Sequence, residues 1–224
     1  MINKKILTVF SCVVMLGCLS GCVTKYINPS FNAQKIDRIT VLPFIDNREK
    51  IDPKYNFEKW TGLAYRHMIP YLKFKKKYRT ELSSDIGAVS SYSIQNLPSL
   101  NKQFYSSTAT LNPGTVDSEW IKQLGPSSEQ WILVPVLEDI SHYNFLIRAG
   151  GIVELSLYLF NKQAGDLWWW SSRKAQYGEQ ILTYCCLRIP LGRYFSEEAA
   201  LEMALKYTID RIPKRPWPYL LPDD

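Results

Sequence analysis

Few residues in this 224-residue chain are typed and spaced for chemistry. Five cysteines, two histidines (His67 and His142) and two charged stretches, Asp46-Asn47-Arg48-Glu49 and Glu138-Asp139, are the first candidates. An enzyme needs such groups to converge on one reacting atom. The sequence carries no phosphate-cradling glycine loop, no HExxH and no nucleophile elbow. Each histidine therefore reads as a surface or hydrogen-bonded structural residue, and each charged stretch as a solvated strand exit. No cysteine spacing suggests zinc or a CxxC redox pair. Catalytic residues, metal ligands and cofactors are accordingly not expected.

One cysteine has a different chemistry. The chain opens MINKKILTVFSCVVMLGCLSGC, with Lys4 and Lys5 before an apolar run that is too short to span a bilayer as a helix. Small residues follow at the end of the run, which is the order of a secretory signal peptide. Leu19-Ser20-Gly21-Cys22 resembles a bacterial lipobox, and that resemblance implies a diacylglyceryl group on the Cys22 sulfur, cleavage before Cys22 and acylation, commonly with palmitate, of the new amino terminus. Two or three acyl chains hold a protein on a bilayer durably, at about 0.8 kcal/mol per buried methylene. Residues 1–21 then form the signal peptide and leave with Cys12 and Cys18. Cys185 and Cys186 remain, either as neighbouring thiols across a strand or as a vicinal disulfide. Val23, in place of aspartate after the lipidated cysteine, resembles the sorting signal of outer-membrane lipoproteins and implies a periplasm-facing location.

The precursor has 27 Lys plus Arg against 21 Asp plus Glu, and loss of Lys4 and Lys5 leaves a balance of +4. So small a surplus argues against a nucleic-acid partner. Two local features suit interaction better. Lys73, Lys75, Lys76, Lys77 and Arg79, interleaved with Tyr71, Phe74 and Tyr78, read either as a contact for anionic headgroups, acidic glycan or an acidic partner, or as a solvated basic edge whose aromatics face the core. Trp168-Trp169-Trp170 in a strand would put the central indole opposite its neighbours, one face feeding the core and the other a partner surface. Trp217 and Tyr219 add aromatic groups in a proline-rich tail, and such groups are enriched in interface hot spots.

These features need elements to hold them. Residues 22–36 read as a polar, lipidated tether, residues 37–213 as one domain, and residues 214–224 as an extended tail. Arg38 to Phe44 predicts a short strand apolar on both faces. A helix through Trp60, Leu63, Ala64 and Met68 should end or kink at Pro70. A strand is expected within residues 89–94, a short helix over Asp117 to Leu124, and a buried strand over residues 131–140. Residues 151–177 predict a hairpin in which Val153, Leu155, Leu157 and Leu159 share one face. The last helix, which Ser196 can cap, carries a stripe of Leu201, Leu205, Thr208 and Ile212. The fold class is α/β or α+β: a single domain with a mixed sheet, at least one face covered by helices, a C-terminal helix and an extended Pro-rich tail.

Arg38-Ile39-Thr40-Val41-Leu42-Pro43-Phe44, the strand Trp131 to Leu137, and Val153 to Asn161 leading through Ala164-Gly165-Asp166-Leu167 to Trp168 resemble a superfamily of outer-membrane lipoproteins. Their periplasmic domain has a TolB amino-terminal-like or anticodon-binding-like α/β fold, and they include the curli-secretion channel, exopolysaccharide-secretion and penicillin-binding-protein activator lipoproteins. Here Gln163-Ala164-Gly165 replaces the usual polar-Thr-Gly turn, and residues 65–118 match the pattern poorly. The resemblance implies assembly or support of a secretion or envelope machine through protein contacts, with rings in some members and no catalysis. The expected partners are the outer membrane, envelope or secretion proteins and further copies of the chain. A second reading is a pore subunit whose hairpins enter the membrane, although only residues 151–160 approach the 9 to 11 residues of a barrel strand. A third reading, a periplasmic hydrolase or other enzyme, lacks a convergent site.

Overall fold

A computed structural model describes residues 25–97, 117–145, 148–184, 187–190 and 197–216. The strands are β1 (Lys25–Ile27), β2 (Arg38–Val41), β3 (Ile45–Asp46), β4 (Arg79–Leu82), β5 (Trp131–Phe145), β6 (Arg148–Asn161), β7 (Asp166–Tyr184) and β8 (Leu187–Pro190). They form one mixed sheet in the order β1-β7-β6-β5-β2-β4, with β3 beside β5 and β8 beside β7. Strand β2 lies parallel to both β4 and β5 and is covered on both faces, with Ile39 and Val41 buried on one and Thr40 on the other. The other pairings along the sheet, β5 to β6, β6 to β7 and β1 to β7, are antiparallel.

Among the described residues, three α-helices cover the sheet. Helix α1 (Phe57–Pro70) starts where the Asn56 side chain accepts the Lys59 amide at 2.9 Å, and it buries Trp60, Ala64 and Met68 at intervals of one turn. Pro70 does not end the chain's winding. Without its N–H the ladder widens into a π-type turn over Tyr71–Lys75, closed by the Lys76 amide on the Tyr71 carbonyl, and Leu72 stays in the core. Helix α3 (Glu197–Ile209) lies beside α1 on the same sheet face, with Leu201, Leu205, Thr208 and Ile212 buried as their spacing requires. Ser196 lies outside the described residues.

The opposite face is covered by α2 (Ser118–Gln123) and by a 3-10 turn at Ile94–Asn96, which takes the place of the strand expected within residues 89–94. Asp117 caps α2 by accepting the Glu119 and Trp120 amides, and Trp120 and Ile121 turn inward. The β6–β7 turn packs on the start of this helix. Gly165 sits at φ +68, and a Cβ there would fall 2.2 Å from Ser118 Oγ, so both backbone and space require glycine.

The Leu42-Pro43-Phe44 segment between β2 and β3 shows how a strand interrupted by proline is kept satisfied. The Tyr65 hydroxyl donates to the Leu42 carbonyl at 3.2 Å and accepts the Phe44 amide at 3.0 Å, while the Tyr92 hydroxyl donates to the Pro43 carbonyl at 2.6 Å. Burial pushes the Tyr65 phenol up to about 12, so it keeps its proton and can donate at any ordinary pH. Tyr65→Phe is expected to cost about 1–3 kcal/mol in urea unfolding, because it strands a buried amide and carbonyl.

Candidate interaction surfaces

Cys22 lies outside the described residues, but the chain that follows it almost at once does not. Lys25–Ile27 is an edge strand whose Lys25, Tyr26 and Ile27 pair with Ser171, Trp170 and Trp169 of β7. Residues 33–35 form a 3-10 turn and Ile36 is completely buried. From Lys25 onward the expected tether is therefore part of the domain. Its polar composition conceals three residues whose alternation already matches an open sheet edge.

All three indoles of Trp168-Trp169-Trp170 are buried, at 6%, 0% and 2% exposure. The expected outward aromatic surface is thus covered by the chain's own side chains. Strict alternation also fails, because Leu159 pairs with Trp169 while Phe160 pairs with Leu167, leaving Trp168 as an extra residue in β7. Trp168 and Trp169 consequently both enter the core beneath α1 and α3, and Trp170 enters the core beneath α2. Trp168 packs edge-on against Trp131 at 4.5 Å, and Trp169 Nε1 donates to the Arg211 carbonyl at 3.3 Å.

Trp217 and Tyr219 lie outside the described residues, as do Cys185 and Cys186. The start of the tail is held firmly. Tyr78 donates to the Pro213 carbonyl at 2.7 Å, the Arg215 amide bonds the Lys76 carbonyl at 3.2 Å, and the Arg215 guanidinium lies 3.7 Å from Asp37. Residues 214–216 thereby belong to the folded body.

The basic cluster divides into two kinds of residue. Lys76 is structural: its ammonium is mostly buried and donates to the Asp210 and Ile212 carbonyls at 2.8 and 2.9 Å, tying the end of α3 to the turn after α1. Burial holds its pKa down despite the nearby Asp210 carboxylate. Tyr78 is fully buried and Arg79 faces Asp37 at 4.0 Å. Lys75 is exposed and Lys73 and Lys77 are half-buried around Phe74, which is 66% exposed. A basic rim with one outward aromatic group survives, while the remaining members serve the fold. The whole rim borders β4, the sheet edge opposite β1.

The charged strand exits do converge, a contact that lay beyond sequence reading. Strand β3 pairs in parallel with β5, Asp46 opposite Leu137, and Asn47 donates to Glu138. Arg48 is buried and grips Asp46 with two hydrogen bonds of 2.8 and 2.7 Å while donating to the Tyr55 carbonyl at 2.7 Å. That bidentate bond holds the Asp46 carboxyl below its ordinary value, so the pair is an internal clamp. A bulge between Leu137 and Asp139 keeps Ile140 in the core and sets Asp139 opposite Glu154, whose carboxyl is raised by burial.

His67 is exposed on α1. His142 Nδ1 lies 3.4 Å from Glu197, which also accepts from the Tyr55 hydroxyl at 2.8 Å and from Lys54 at 3.3 Å. At the other end of β2 and β5, Glu129 accepts both a two-pronged bond from Arg38 and the Thr40 hydroxyl at 2.9 Å. Beside it a shallow groove of about 270 Å³ is lined by Lys122, Ser128, Gln130 and Lys162. Sequence reading missed both hubs, because their partners are separated by roughly 90 to 140 residues and no local pattern links them.

The described residues define an α/β layer whose strand order ends at β1 on one side and β4 on the other, and its charged hubs at Asp46, Glu129 and Glu197 are engaged in internal hydrogen bonds. No family profile and no curated protein matches the chain. Among solved structures it is similar to the PelC dodecamer from Paraburkholderia phytofirmans, with 9% identity over 87% of this chain and 98% of that one at a TM-score of 0.48. Lipoprotein GNA1162 from Neisseria meningitidis aligns at 13% identity over 79% of this chain and 97% of that one, TM-score 0.38. The hypothetical protein CT253 from Chlamydia trachomatis aligns at 10% identity over 65% and 74%, TM-score 0.37. With scores this low, the functional reading rests on the chain's own residues.

Proposed function

We propose that the chain is a non-enzymatic, lipid-anchored module on the periplasmic side of a bacterial outer membrane, where it supports a secretion or envelope machine through protein contacts, including contacts with its own copies. One observation carries this reading: Lys25, three residues after the cysteine of Leu-Ser-Gly-Cys, is already paired into the folded sheet. A signal and lipobox joined directly to a folded edge make a membrane-seated body with almost no spacer. The hydrogen-bond clamps at the strand exits favour a scaffold over a reaction centre.

Cys22→Ser is expected to abolish incorporation of labelled palmitate and move most of the protein from the membrane to the soluble fraction. Unchanged fractionation without palmitate would sink the anchor. Assembly is read from the mass of the detergent-solubilised protein, and truncation after Pro216 tests Trp217 and Tyr219 without removing Arg215.

A second reading, a pore subunit, is favoured by strand length. Strands β5, β6 and β7 run for 15, 14 and 19 residues, beyond the 9 to 11 of a barrel strand. This exceeds the residues 151–160 expected from sequence. Among the described residues no helix is long and apolar enough to cross a membrane. Stepwise conductance of the purified protein in planar bilayers would favour the pore, and a silent bilayer the module.

A further inference from the structure

The β1–β7 edge carries a second basic group that the sequence does not display as a cluster. Lys25 is exposed and pairs with Ser171, so its diagonal neighbour on the same sheet face is Arg173. The Arg173 guanidinium lies over the ring of Tyr207 on α3, 5.6 Å from its centroid. Arg211 follows Tyr207 by four residues, in the turn that continues the winding of α3, which sets it on the same side; burial, and then the charge of Arg173, hold its pKa down. Tyr207, beneath Arg173, and Ile27, two residues from Lys25 on the same face of β1, are 42% and 38% exposed and add apolar surface to the cations. An amphipathic ring and an aliphatic group beside Lys and Arg are the composition of a bilayer interface.

Position selects the occupant. Three virtual bonds of 3.80 Å separate Cys22 from Lys25, so the two Cα atoms stand within about 11 Å of each other whatever path the chain takes. The opposite edge, β4, lies five strand spacings away, about 24 Å. From these facts we infer that Lys25, Arg173 and Arg211, with Tyr207 and Ile27, form a headgroup-binding face that seats the β1–β7 edge on the anionic lipids of the anchoring leaflet. The Lys73, Lys75 and Lys77 rim beside β4 is then directed away from that contact and left to other partners. This deepens the anchored-module reading, which supplies the position of Cys22.

The test uses the full chain from residue 22 with Cys22→Ser, made without lipid so that the anchor does not mask the surface. Binding is measured by co-sedimentation at low salt with vesicles of phosphatidylethanolamine and phosphatidylglycerol, and with phosphatidylcholine alone. The wild-type surface is expected to bind the anionic vesicles and to weaken with added salt. K25Q, R173Q and R211Q should each weaken binding about fivefold, the ratio equivalent to about 1 kcal/mol per cation at a membrane surface. Joint replacement of Lys73, Lys75 and Lys77 by glutamine should leave it unchanged. The variant R173K/R211K keeps the charges and should retain binding, which separates charge from folding. Equal binding to phosphatidylcholine, no loss in the three glutamine variants, or an equal loss in the distal triple variant would each overturn the proposal. Palmitate labelling of Cys22 is scored separately: absent label with charge-dependent vesicle binding removes the anchor and leaves the face, whereas label without vesicle binding does the reverse.

Discussion

Trp169→Ala is expected to lower the free energy of unfolding by about 3–5 kcal/mol. The indole is completely buried beneath α1 and α3, beside Leu159 of the neighbouring strand, and its N–H donates to the Arg211 carbonyl just past the end of α3. Truncation removes a large apolar volume from a face that neighbouring helices cannot fully refill, and it leaves that carbonyl without its donor. A domain of this size has about 5–15 kcal/mol in total, so much of the margin would go. Trp169→Phe should recover most of the packing and lose the hydrogen bond. Urea unfolding monitored by far-ultraviolet circular dichroism measures both. A cost below about 1 kcal/mol for the alanine variant would mean that Trp169 does not face this core.

That prediction depends on a bulge that the sequence does not advertise. Alternation reads Val153, Leu155, Leu157 and Leu159 correctly because β6 keeps its register through these residues, and all four lie in the helix-covered core. The same rule misplaces the three tryptophans, since one extra residue in β7 turns Trp168 and Trp169 to the same side. A bulge is a property of two strands together, visible only once the partner is known. The stripe of α3 and the short helix α2 were legible because they are local, set by side chains within one or two turns. Strand β1 was not, because three residues at an open edge carry too little pattern to stand out from a polar segment. The basic residues show the same division. Lys73 to Arg79 are neighbours in sequence, yet Lys76 is withdrawn to bind carbonyls at the end of the last helix; Lys25 and Arg173 become neighbours only through strand pairing, and Arg173 reaches Tyr207 only through helix packing. A cluster in sequence is therefore a weak guide to a cluster on this surface.

Gly151→Val is expected to cost about 1–3 kcal/mol or more and to loosen the start of α3. Gly151 lies opposite His142 on β5, and a Cβ built on it would come 2.5 Å from the Cα of Glu197 and 2.9 Å from its amide nitrogen. Helix backbone cannot yield as a side-chain tip can, so the helix must move off the sheet. The movement would carry Glu197 away from Tyr55 and Lys54. Burial alone would raise the Glu197 carboxyl, but its own backbone amide, Tyr55 and Lys54 together hold it below the ordinary value of 4.5. A carboxyl with a lowered folded pKa contributes stability that is full above its unfolded value and is lost as pH falls through its folded value. The wild-type domain should therefore lose this share of its stability below about pH 4.5, and Gly151→Val should lack that share at every pH. Denaturant midpoints measured from pH 6 to pH 3 separate the two effects: overpacking lowers the whole curve, and loss of the Glu197 contacts flattens its acid limb. A curve lowered uniformly, with its acid limb intact, would show that α3 stays docked and that the strain is absorbed in β6.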